Sequence, residues 1–369
     1  MKLYNYEDIR AVHLEITEKC QASCPMCDRN IKGGVDNPNL GDKKGLHELT
    51  IEDIQRILAP EFVKQLDRLY MCGNFGDPIV ANDTLDVFKY LREQNSNMWL
   101  NMNTNAGAKK EDWWRDLAEV LGNKGHVTFS FDGLGDTNHL YRQGVNWDIA
   151  WRNAMAFIEA GGRAHWDFLI FAHNEHQVEE AEALAKEKGF EKFMKKKTGR
   201  FFSTVKNTGK EEHQAVNRKG ENQQLLEKPK EVKFQNKATK DIIKLEEKHG
   251  SLEKYFDNVK IKCKVAAEKS MYLSAEGLIL PCCWVAGSMY KWWQKPGENQ
   301  VWELLQQSGG KDVFDAKTHG VKSVLSNEYF TGRLVDSWSK ANVHLGKPIV
   351  CAQKCGEEFD AFAAQFDDR

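Results

Sequence analysis

The sequence lacks several features that assign a protein to a broad class. No stretch of its 369 residues approaches the roughly 18 consecutive apolar residues of a membrane span, so we expect no membrane association. The formal net charge is only −2, so the basic excess typical of nucleic-acid-binding proteins is missing. The first ten residues have no apolar signal-peptide core, and no repeat of fixed period is present. With 41% apolar residues, the chain is predicted to be globular, soluble and cytoplasmic, and long enough for more than one domain.

The nine cysteines are clustered rather than evenly distributed. Three lie in one short run near the amino terminus, and five lie beyond residue 260. Without a secretion signal, clustered cysteines favour metal binding in a reducing compartment over a disulfide framework.

The N-terminal cysteines, Cys20, Cys24 and Cys27, have the spacing C-x3-C-x2-C. They follow an alternating apolar run, residues 12–17, which predicts a strand. Three thiolates can hold three irons of a [4Fe–4S] cube and leave the fourth iron open to a substrate or cofactor. The alternative is a zinc site, but structural zinc needs four tetrahedral ligands and no fourth cysteine or histidine lies close in the sequence.

Strands and helices alternate from residue 12 to about residue 197. The predicted strands cover residues 12–17, 68–72, 99–105, 126–132, 165–171 and 191–197. The predicted helices cover residues 50–58, 83–93, 110–121, 147–160 and 175–188. We expect Thr50 to be an N-cap, with Asp53 at N3, and Gly189 to be a C-cap. The alternation predicts an α/β fold with a parallel sheet, in which six βα units form an open, partial barrel. The cysteine loop begins at the carboxyl end of the first strand, where βα barrels place their active sites.

Residues from about 195 to 240 are rich in lysine and poor in large apolar side chains. We expect a connector that contains a short hairpin. One interpretation is a solvated surface loop. The other is a basic lip over the barrel mouth that attracts an acidic substrate, such as a phosphate, a nucleotide or an acidic leader peptide.

A second set of cysteines follows residue 260: Cys263, Cys282, Cys351 and Cys355. Four thiolates saturate one further [4Fe–4S] cluster, and a four-cysteine zinc site needs the same number. Strands 270–274 and 278–280, with a turn at Gly277, predict a hairpin between the first two of these cysteines. Neighbouring residues in a strand point to opposite faces, so only one of Cys282 and Cys283 is expected to reach the cluster. We choose Cys282, which keeps a four-residue spacing from Gly277.

Several motifs together carry a family resemblance. The cysteine triplet follows the first predicted strand, Met71-Cys-Gly-Asn-Phe-Gly-Asp-Pro78 follows the second, Asn103-Thr-Asn105 follows the third and Ser130-Phe-Asp-Gly133 ends the fourth. The second cysteine set opens with C-x13-G-x4-C. On these motifs the chain resembles the radical S-adenosylmethionine (SAM) superfamily, in particular its members with a SPASM or twitch C-terminal domain.

The resemblance implies a partial (β/α)6 barrel in residues 1–197, a basic connector or insertion in residues 198–260 and a SPASM- or twitch-like domain in residues 261–369. It implies a SAM-binding [4Fe–4S] cluster on the triplet. It also implies one auxiliary [4Fe–4S] cluster, because a full SPASM domain needs more cysteines than remain. In this family one electron from the cluster cleaves SAM, and the resulting 5′-deoxyadenosyl radical abstracts a substrate hydrogen. The implied activity is that of an oxidoreductase whose electron donor is a protein such as flavodoxin or ferredoxin.

The resemblance also assigns contacts to SAM. Gly73 and Asp77 stand where the family has Gly-Gly-Glu-Pro, and Asp77 would accept hydrogen bonds from the SAM ammonium. This chain departs from the family pattern, since Asn74 and Phe75 intervene and aspartate replaces glutamate. Met26 takes the position of the residue that lies against the adenine.

Other implied SAM contacts come from the third and fourth strands. Asn103 and Asn105 would contact the ribose or the methionine moiety. Ser130 and Arg142 would hold the SAM carboxylate, which suits a guanidinium group. Asp132 belongs to the same Ser-x-Asp-Gly segment and is included among the cofactor-binding residues.

The substrate is not identifiable from the sequence. Tyr141, His173 and Cys283 are candidates for a catalytic relay by position only. Two substrate classes are open: a ribosomally made peptide, or a small alcohol, sugar or nucleotide-like compound that is dehydrogenated. Only about eleven residues precede the first strand, so we expect no N-terminal peptide-recognition domain, which favours the small molecule. An RNA-modifying enzyme ranks lower, because the aromatic residues are not gathered into an RNA-reading motif. The non-enzymatic alternative is a binding protein stabilised by two zinc sites.

The basic-lip interpretation makes a prediction about Lys195, Lys196 and Lys197. If these lysines attract an acidic substrate, reversing their charge should weaken substrate binding at low ionic strength, where electrostatic attraction is screened least. Steady-state kinetics at low salt measures this, and unchanged kinetics would eliminate the basic lip.

Overall fold

A computed structural model describes residues 2–201 and 212–360 of the chain. Eight of its ten strands form one sheet, in the order β10-β9-β1-β2-β3-β4-β5-β6, and the other two form a separate hairpin. The strands are β1 (Ala11–Leu14), β2 (Arg68–Met71), β3 (Trp99–Thr104), β4 (Gly125–Ser130), β5 (Ala164–Ile170), β6 (Lys192–Lys197), β7 (Glu212–Val216), β8 (Asn222–Glu227), β9 (Ser270–Leu273) and β10 (Ile279–Leu280).

Helices connect the strands and form most of the C-terminal third. The α-helices are α1 (Ile51–Ile57), α2 (Pro60–Lys64), α3 (Thr84–Gln94), α4 (Glu111–Leu121), α5 (Asn138–Tyr141), α6 (Trp147–Glu159), α7 (Val178–Glu187), α8 (Ala238–His249), α9 (Leu252–Asn258), α10 (Lys264–Glu268), α11 (Cys283–Met289), α12 (Gln300–Gln307), α13 (Ala316–Leu325), α14 (Leu334–Ser337) and α15 (Ile349–Cys355). None of the described helices combines the length and the hydropathy that crossing a lipid bilayer requires.

The predicted α/β fold class is confirmed. Strands β1 to β6 pair in parallel and in sequential order, as six βα units require. In this register Leu14 lies beside Met71, and Met71 lies beside Met102. The strands curl around a common lumen of about 670 Å³, because alternate side chains of β1 to β6 and of β9 line one cavity. The sheet is therefore a partial barrel.

The predicted element ends are shifted by a few residues, mostly at the carboxyl ends of the strands. Strand β1 ends at Leu14 rather than at residue 17, and β4 ends at Ser130 rather than at residue 132. The last residues of these two predicted strands, 15–17 and 131–132, leave the sheet and belong to the loops at its carboxyl edge. Thr50 is the expected N-cap: its side chain accepts from the Asp53 backbone N–H, and the Asp53 carboxylate accepts in return from the Thr50 backbone.

The hairpin predicted in the C-terminal part forms, and it has an additional role. Strand β9 pairs in parallel with β1, from Ala11 beside Ser270 to Leu14 beside Leu273, and β10 pairs with β9 in antiparallel orientation. The hairpin therefore extends the barrel sheet on the side of the first strand. This places the cysteines at residues 282 and 283 next to the barrel opening.

Aromatic side chains fill the space between β4, β5 and the helices that cover them. Phe131 packs edge-to-face on Trp166 with ring centroids 5.5 Å apart, and Phe129 packs similarly on Phe157 at 5.8 Å. All four rings are fully buried. Each such side chain contributes about 1.5–3 kcal/mol to folding through loss of apolar surface. This packing fixes the strands that supply half of the barrel mouth.

The region expected to be a connector is more structured than predicted. The expected hairpin is present as β7 and β8, but helices α8 and α9 follow it. Their apolar faces form a second small core with residues of the C-terminal part: Ala238, Ile242, Leu245, Leu252, Tyr255, Phe256, Val259, Val343, Ala352 and Phe359. This core extends across residue 260 and supports helix α15, which carries two cysteines.

Candidate functional site

A cavity of about 450 Å³ opens at the carboxyl ends of strands β1 to β6. All three cysteines of the triplet line it. All of the predicted SAM contacts except Met26 also line it: Gly73, Asp77, Asn103, Asn105, Ser130, Asp132 and Arg142. Four separate strand–loop junctions, at the carboxyl ends of β1 to β4, bring these residues together, which is the arrangement of a βα-barrel active site.

The triplet loop is held in place by hydrogen bonds to its backbone. Arg29 donates from one Nη atom to the Ala22 carbonyl (2.7 Å) and from the other to the Asp36 carboxylate (2.7 Å). Asn30 donates to the Cys24 carbonyl at 3.2 Å. These contacts fix the loop geometry independently of any bound group.

Two polar side chains point at the sulfurs of the triplet. The Asn105 amide donates to the Cys20 Sγ at 3.6 Å, and the Arg142 guanidinium donates to the Cys24 Sγ at 3.9 Å. Burial raises the pKa of the Cys24 thiol to about 11, and burial likewise raises the pKa of Cys20. A metal would replace the protons that burial retains on these thiols. Donors aimed at sulfur are the expected second layer of a thiolate–iron site, so the residues present fit a cluster.

Gly73 and Gly76 approach neighbouring backbone too closely for either position to carry a side chain. A Cβ at Gly76 would lie 1.8 Å from the Thr17 carbonyl oxygen, and a Cβ at Gly73 would lie 2.1 Å from the Gly76 carbonyl oxygen. Only glycine fits at either position. The loop therefore presents bare backbone at the cavity wall.

Asp77 is buried and held by three donors. Its carboxylate accepts from the Thr104 hydroxyl (2.8 Å), the Asn105 N–H (2.8 Å) and the Ile79 N–H (3.2 Å). Burial raises the pKa of Asp77, and these donors act against the rise. A carboxylate has about four acceptor positions, so one remains for a ligand ammonium.

Arg142 and Asp132 form a buried ion pair with Nε–Oδ2 at 2.6 Å. Asp132 also accepts from the Leu169 N–H at 2.7 Å. Asp132 therefore orients Arg142 rather than facing a ligand with a free carboxylate. The guanidinium retains donors for a ligand carboxylate on its Nη atoms. Met26 does not line the cavity, and its carbonyl accepts a hydrogen bond from Arg200.

Glu15 is a buried acid that the sequence analysis missed. Its carboxylate accepts from the N–H groups of Phe75 (2.6 Å) and Gly76 (3.2 Å) and is bonded to the Tyr272 hydroxyl. Because Tyr272 lies on β9, Glu15 links the glycine loop to the C-terminal hairpin. Burial raises the pKa of Glu15 to about 7. The signal for it in the sequence was weak: a lone charge in an otherwise apolar strand.

The four cysteines of the second set line one cavity with mostly apolar neighbours. Cys282 lines both this cavity and the barrel lumen, whereas Cys283 lines the lumen and not this cavity. Burial raises the pKa of the Cys283 thiol to about 12, and the Lys354 ammonium nearby acts against this rise. Of the two adjacent residues, only Cys282 thus shares a cavity with the other three cysteines of the set. They lie at the start of a helix rather than in the strand that the sequence predicts.

Buried donors without partners surround the second cysteine set. Within the described residues the indole N–H of Trp338 has no oxygen or nitrogen acceptor. Burial raises the pKa of the Cys351 thiol, and the Trp338 N–H, which faces this sulfur, acts against the rise. The Tyr4 hydroxyl is also buried without a partner, and thiolates at Cys263 and Cys282 would raise its pKa. An unpaired buried donor is costly unless an acceptor faces it. Sulfur atoms of a bound cluster would supply such acceptors, so this donor set fits a cluster too.

Neither cysteine set converges on a single point. Within residues 2–201 and 212–360, no group of three or more histidine, cysteine, aspartate or glutamate side chains is arranged to hold a metal ion. Each set instead lies around the wall of a cavity.

The three lysines of the proposed basic lip do not act together. Lys196 lines the cavity and pairs with Asp167 at 3.0 Å. Lys195 lies on the opposite face of β6 and pairs with Glu182 at 2.6 Å. Strand alternation explains the difference. Lys197 is not among the residues that line the cavity.

The β7–β8 hairpin covers the triplet loop. The Val216 N–H donates to the Lys32 carbonyl (2.9 Å), and Arg218 donates to the Ser23 hydroxyl (3.2 Å). Arg200, just after β6, donates to the Met26 carbonyl. The sequence predicts a hairpin but not its contact with the cysteine loop, because no local pattern specifies what a hairpin covers.

Glu15 generates a prediction about pH. A glutamate in the unfolded chain loses its proton near pH 4.5, whereas folded Glu15 keeps its proton to about pH 7. The folded state therefore binds more protons in this interval, and its stability falls as pH rises from about 4.5 to about 7. Glu15→Gln cannot ionise. We expect the variant to gain up to about 3 kcal/mol relative to wild type between pH 4.5 and pH 8.

Thermal unfolding midpoints of wild type and Glu15→Gln at pH 5 and pH 8 test this. Glu52→Gln, at an exposed position in α1, is the matched control. The difference between its unfolding midpoint and that of wild type should be the same at pH 5 and pH 8. Equal midpoint differences for Glu15→Gln at both pH values would contradict the assignment.

Comparison with known proteins gives structural similarities only. No protein-family profile and no curated protein matches the chain. Native anSMEcpe with bound AdoMet and Cp18Cys peptide is similar, with 15% identity and a TM-score of 0.48 over 91% of this chain and 87% of that chain. Streptococcus suis SuiB bound to precursor peptide SuiA has 16% identity and a TM-score of 0.48 over 93% of this chain and 76% of that chain. BtrN in complex with AdoMet and 2-DOIA has 10% identity and a TM-score of 0.43 over 97% of each chain. Because these TM-scores lie below 0.5, the function proposed next rests on the residues of this chain.

Proposed function

We propose that this chain is a radical SAM enzyme. One observation carries the proposal: three cysteines of a C-x3-C-x2-C loop line one cavity at the barrel mouth, together with polar groups suited to an amino acid and a nucleoside. A [4Fe–4S] cluster bound by these thiolates would supply the electron that cleaves SAM and releases the 5′-deoxyadenosyl radical. The chain's own contribution is to bind and orient SAM and to exclude water.

SAM binding would use the cavity wall. Asp77 offers its remaining acceptor position to the ammonium, and Arg142 offers Nη donors to the carboxylate. Ser130 and Asn103 add polar groups from the ends of β4 and β3. Asn105 has a double role, because it contacts the Cys20 sulfur and lines the cavity.

Cys72 also lines the cavity, and we assign it no ligand role. The three cysteines of the triplet line the cavity but not the lumen. Cys72 lines both spaces. Cys72 thus lies on the lumen side of the cavity, away from the triplet.

We further propose one auxiliary [4Fe–4S] cluster on the second cysteine set, within a C-terminal domain of residues 261–369. Four protein thiolates leave no open iron, which favours electron relay or structural support over substrate binding. The orphaned donors around these cysteines support this proposal.

The substrate site is proposed to be the barrel lumen. The lumen shares Cys72, Asn103, Asp167 and Lys196 with the SAM cavity, so the two spaces adjoin. Its volume of about 670 Å³ lies within the usual range of small-molecule sites, about 300–1,000 Å³. We therefore propose an oxidoreductase that acts on a small molecule. The second candidate is a peptide whose side chain enters the same lumen.

Anaerobic reconstitution tests the function. We expect iron with acid-labile sulfide, and 5′-deoxyadenosine on reduction in the presence of SAM. Cys20→Ala, Cys24→Ala and Cys27→Ala should each abolish deoxyadenosine formation, because each removes an iron ligand. Cys72→Ala is the matched control and should retain it. Stoichiometric zinc without sulfide would contradict the proposal. Deuterated candidate substrates, followed by mass analysis of deoxyadenosine, would then separate small molecules from peptides.

The adjacent cysteines give a further prediction. Wild-type protein with two cubes holds about eight irons per chain, and Cys282→Ser should hold about four because it loses the auxiliary cluster. Cys283→Ser should keep about eight. Iron and sulfide analysis of the two variants measures the difference. A Cys283→Ser protein that loses half of its iron while Cys282→Ser keeps all of it would reverse the assignment.

A further inference from the structure

Lys354 is a cation between the two cysteine sets. It lies on helix α15, between Cys351 and Cys355, and lines both the cavity of the triplet and the cavity of the second set. It is half-buried, and the part of the chain that the structure describes gives its ammonium no hydrogen bond and no ion pair. It also lies near Cys283, which faces the lumen.

The other cations on the wall of the SAM cavity have partners in the protein. Arg142 is paired with Asp132, Lys196 with Asp167 and Arg29 with Asp36. Arg200 donates to the Met26 carbonyl. The charges of the first three are therefore offset within the fold, whereas the Arg200 guanidinium bonds a neutral carbonyl.

Neighbouring lysines add to the positive field at Lys354. Lys291 and Lys264 both act on its ammonium as like charges. Each of them has its own carboxylate partner, Asp28 for Lys291 and Asp360 for Lys264. Within the described residues Lys354 is paired with no carboxylate, although Asp360 and Cys283 act on it as opposite charges. Its partial burial beside two like charges is costly. An anion that enters the cavity would offset this cost and would form a charge-assisted hydrogen bond.

We infer that Lys354 binds an anionic group of the substrate, a carboxylate or a phosphate, between the two cysteine sets. This inference rests on the proposed function, which assigns the lumen to the substrate, because Lys354 lines the adjoining SAM cavity rather than the lumen itself. It narrows the substrate class to acids or phosphate esters. It also places the anionic end of the substrate toward helix α15 and the remainder toward the lumen.

Site-resolved protection from an amine-reactive reagent tests the inference. Reconstituted holoenzyme saturated with SAM is treated anaerobically with acetic anhydride, and acetylation of Lys354 is followed by peptide mass spectrometry. Inorganic phosphate and malonate are the two probes. We expect at least one of them to protect Lys354 saturably. Protection by phosphate indicates a phosphate ester, and protection by malonate indicates a carboxylic acid. Lys262, which is exposed and paired with Glu357 at 3.1 Å, should not be protected.

Calorimetric titration of the protecting anion provides the matched variants. Lys354→Gln should weaken its binding at least about tenfold, which corresponds to about 1.4 kcal/mol. Lys354→Arg should retain most of the affinity, and Lys262→Gln should bind as wild type. Equal iron and sulfide contents in all variants confirm that the fold and the clusters are preserved.

Three results would overturn the inference. The first is that neither anion protects Lys354. The second is that SAM alone protects it completely. The third is that Lys354→Gln binds the anion as tightly as wild type. The last result would mean that Lys354 only balances the charge of the thiolates. Deoxyadenosine formation is measured on the same samples, so failure of the proposed function appears there and failure of anion binding appears in the titration.

Discussion

The position of the cysteine triplet at the carboxyl end of β1 is the constraint on which the site depends. A thiolate loop can act on a substrate only if its open face is directed into a closed space with suitable polar groups. Parallel strands supply this space, because all of their carboxyl ends meet at one edge of the sheet. The loop itself is fixed by Arg29 and Asn30 and covered by the β7–β8 hairpin. Hydrogen bonds within the protein thus hold three sulfurs at the wall of a cavity.

The N-terminal barrel and the C-terminal cysteine set are coupled through one edge of the sheet. Strand β9 lies beside β1, and Tyr272 on β9 reaches Glu15 at the end of β1. Glu15 in turn holds the backbone of the glycine loop, and the Asn74 amide donates to the Cys283 carbonyl at 2.8 Å. A change at the second cysteine set therefore has a direct structural route to the SAM cavity. We regard this contact as the reason that the hairpin lies in the main sheet.

Much of this organisation was predictable from the sequence. The six strands and five helices follow from hydrophobic periodicity, and Thr50 with Asp53 follows from a capping pattern. The convergence of Gly73, Asp77, Asn103 and Ser130 on one cavity follows from their common position at or just after the carboxyl ends of parallel strands. Other features depend on contacts between distant residues. The pairing of β9 with β1, the partner of Glu15 and the position of Lys354 between the two cysteine sets are set by tertiary packing and leave no local pattern. The lysine run at residues 195–197 was interpreted as one patch, but strand alternation divides it.

The most direct test of the central claim is whether SAM coordinates the cluster held by the triplet. Electron paramagnetic resonance of the reduced holoenzyme, with SAM labelled by ¹⁵N in the amino group and ¹⁷O in the carboxylate, measures this coordination. We predict a change in the signal on SAM addition and hyperfine coupling to both labelled atoms. A cluster signal that SAM leaves unchanged, or the absence of a cluster that depends on Cys20, Cys24 and Cys27, would contradict the account.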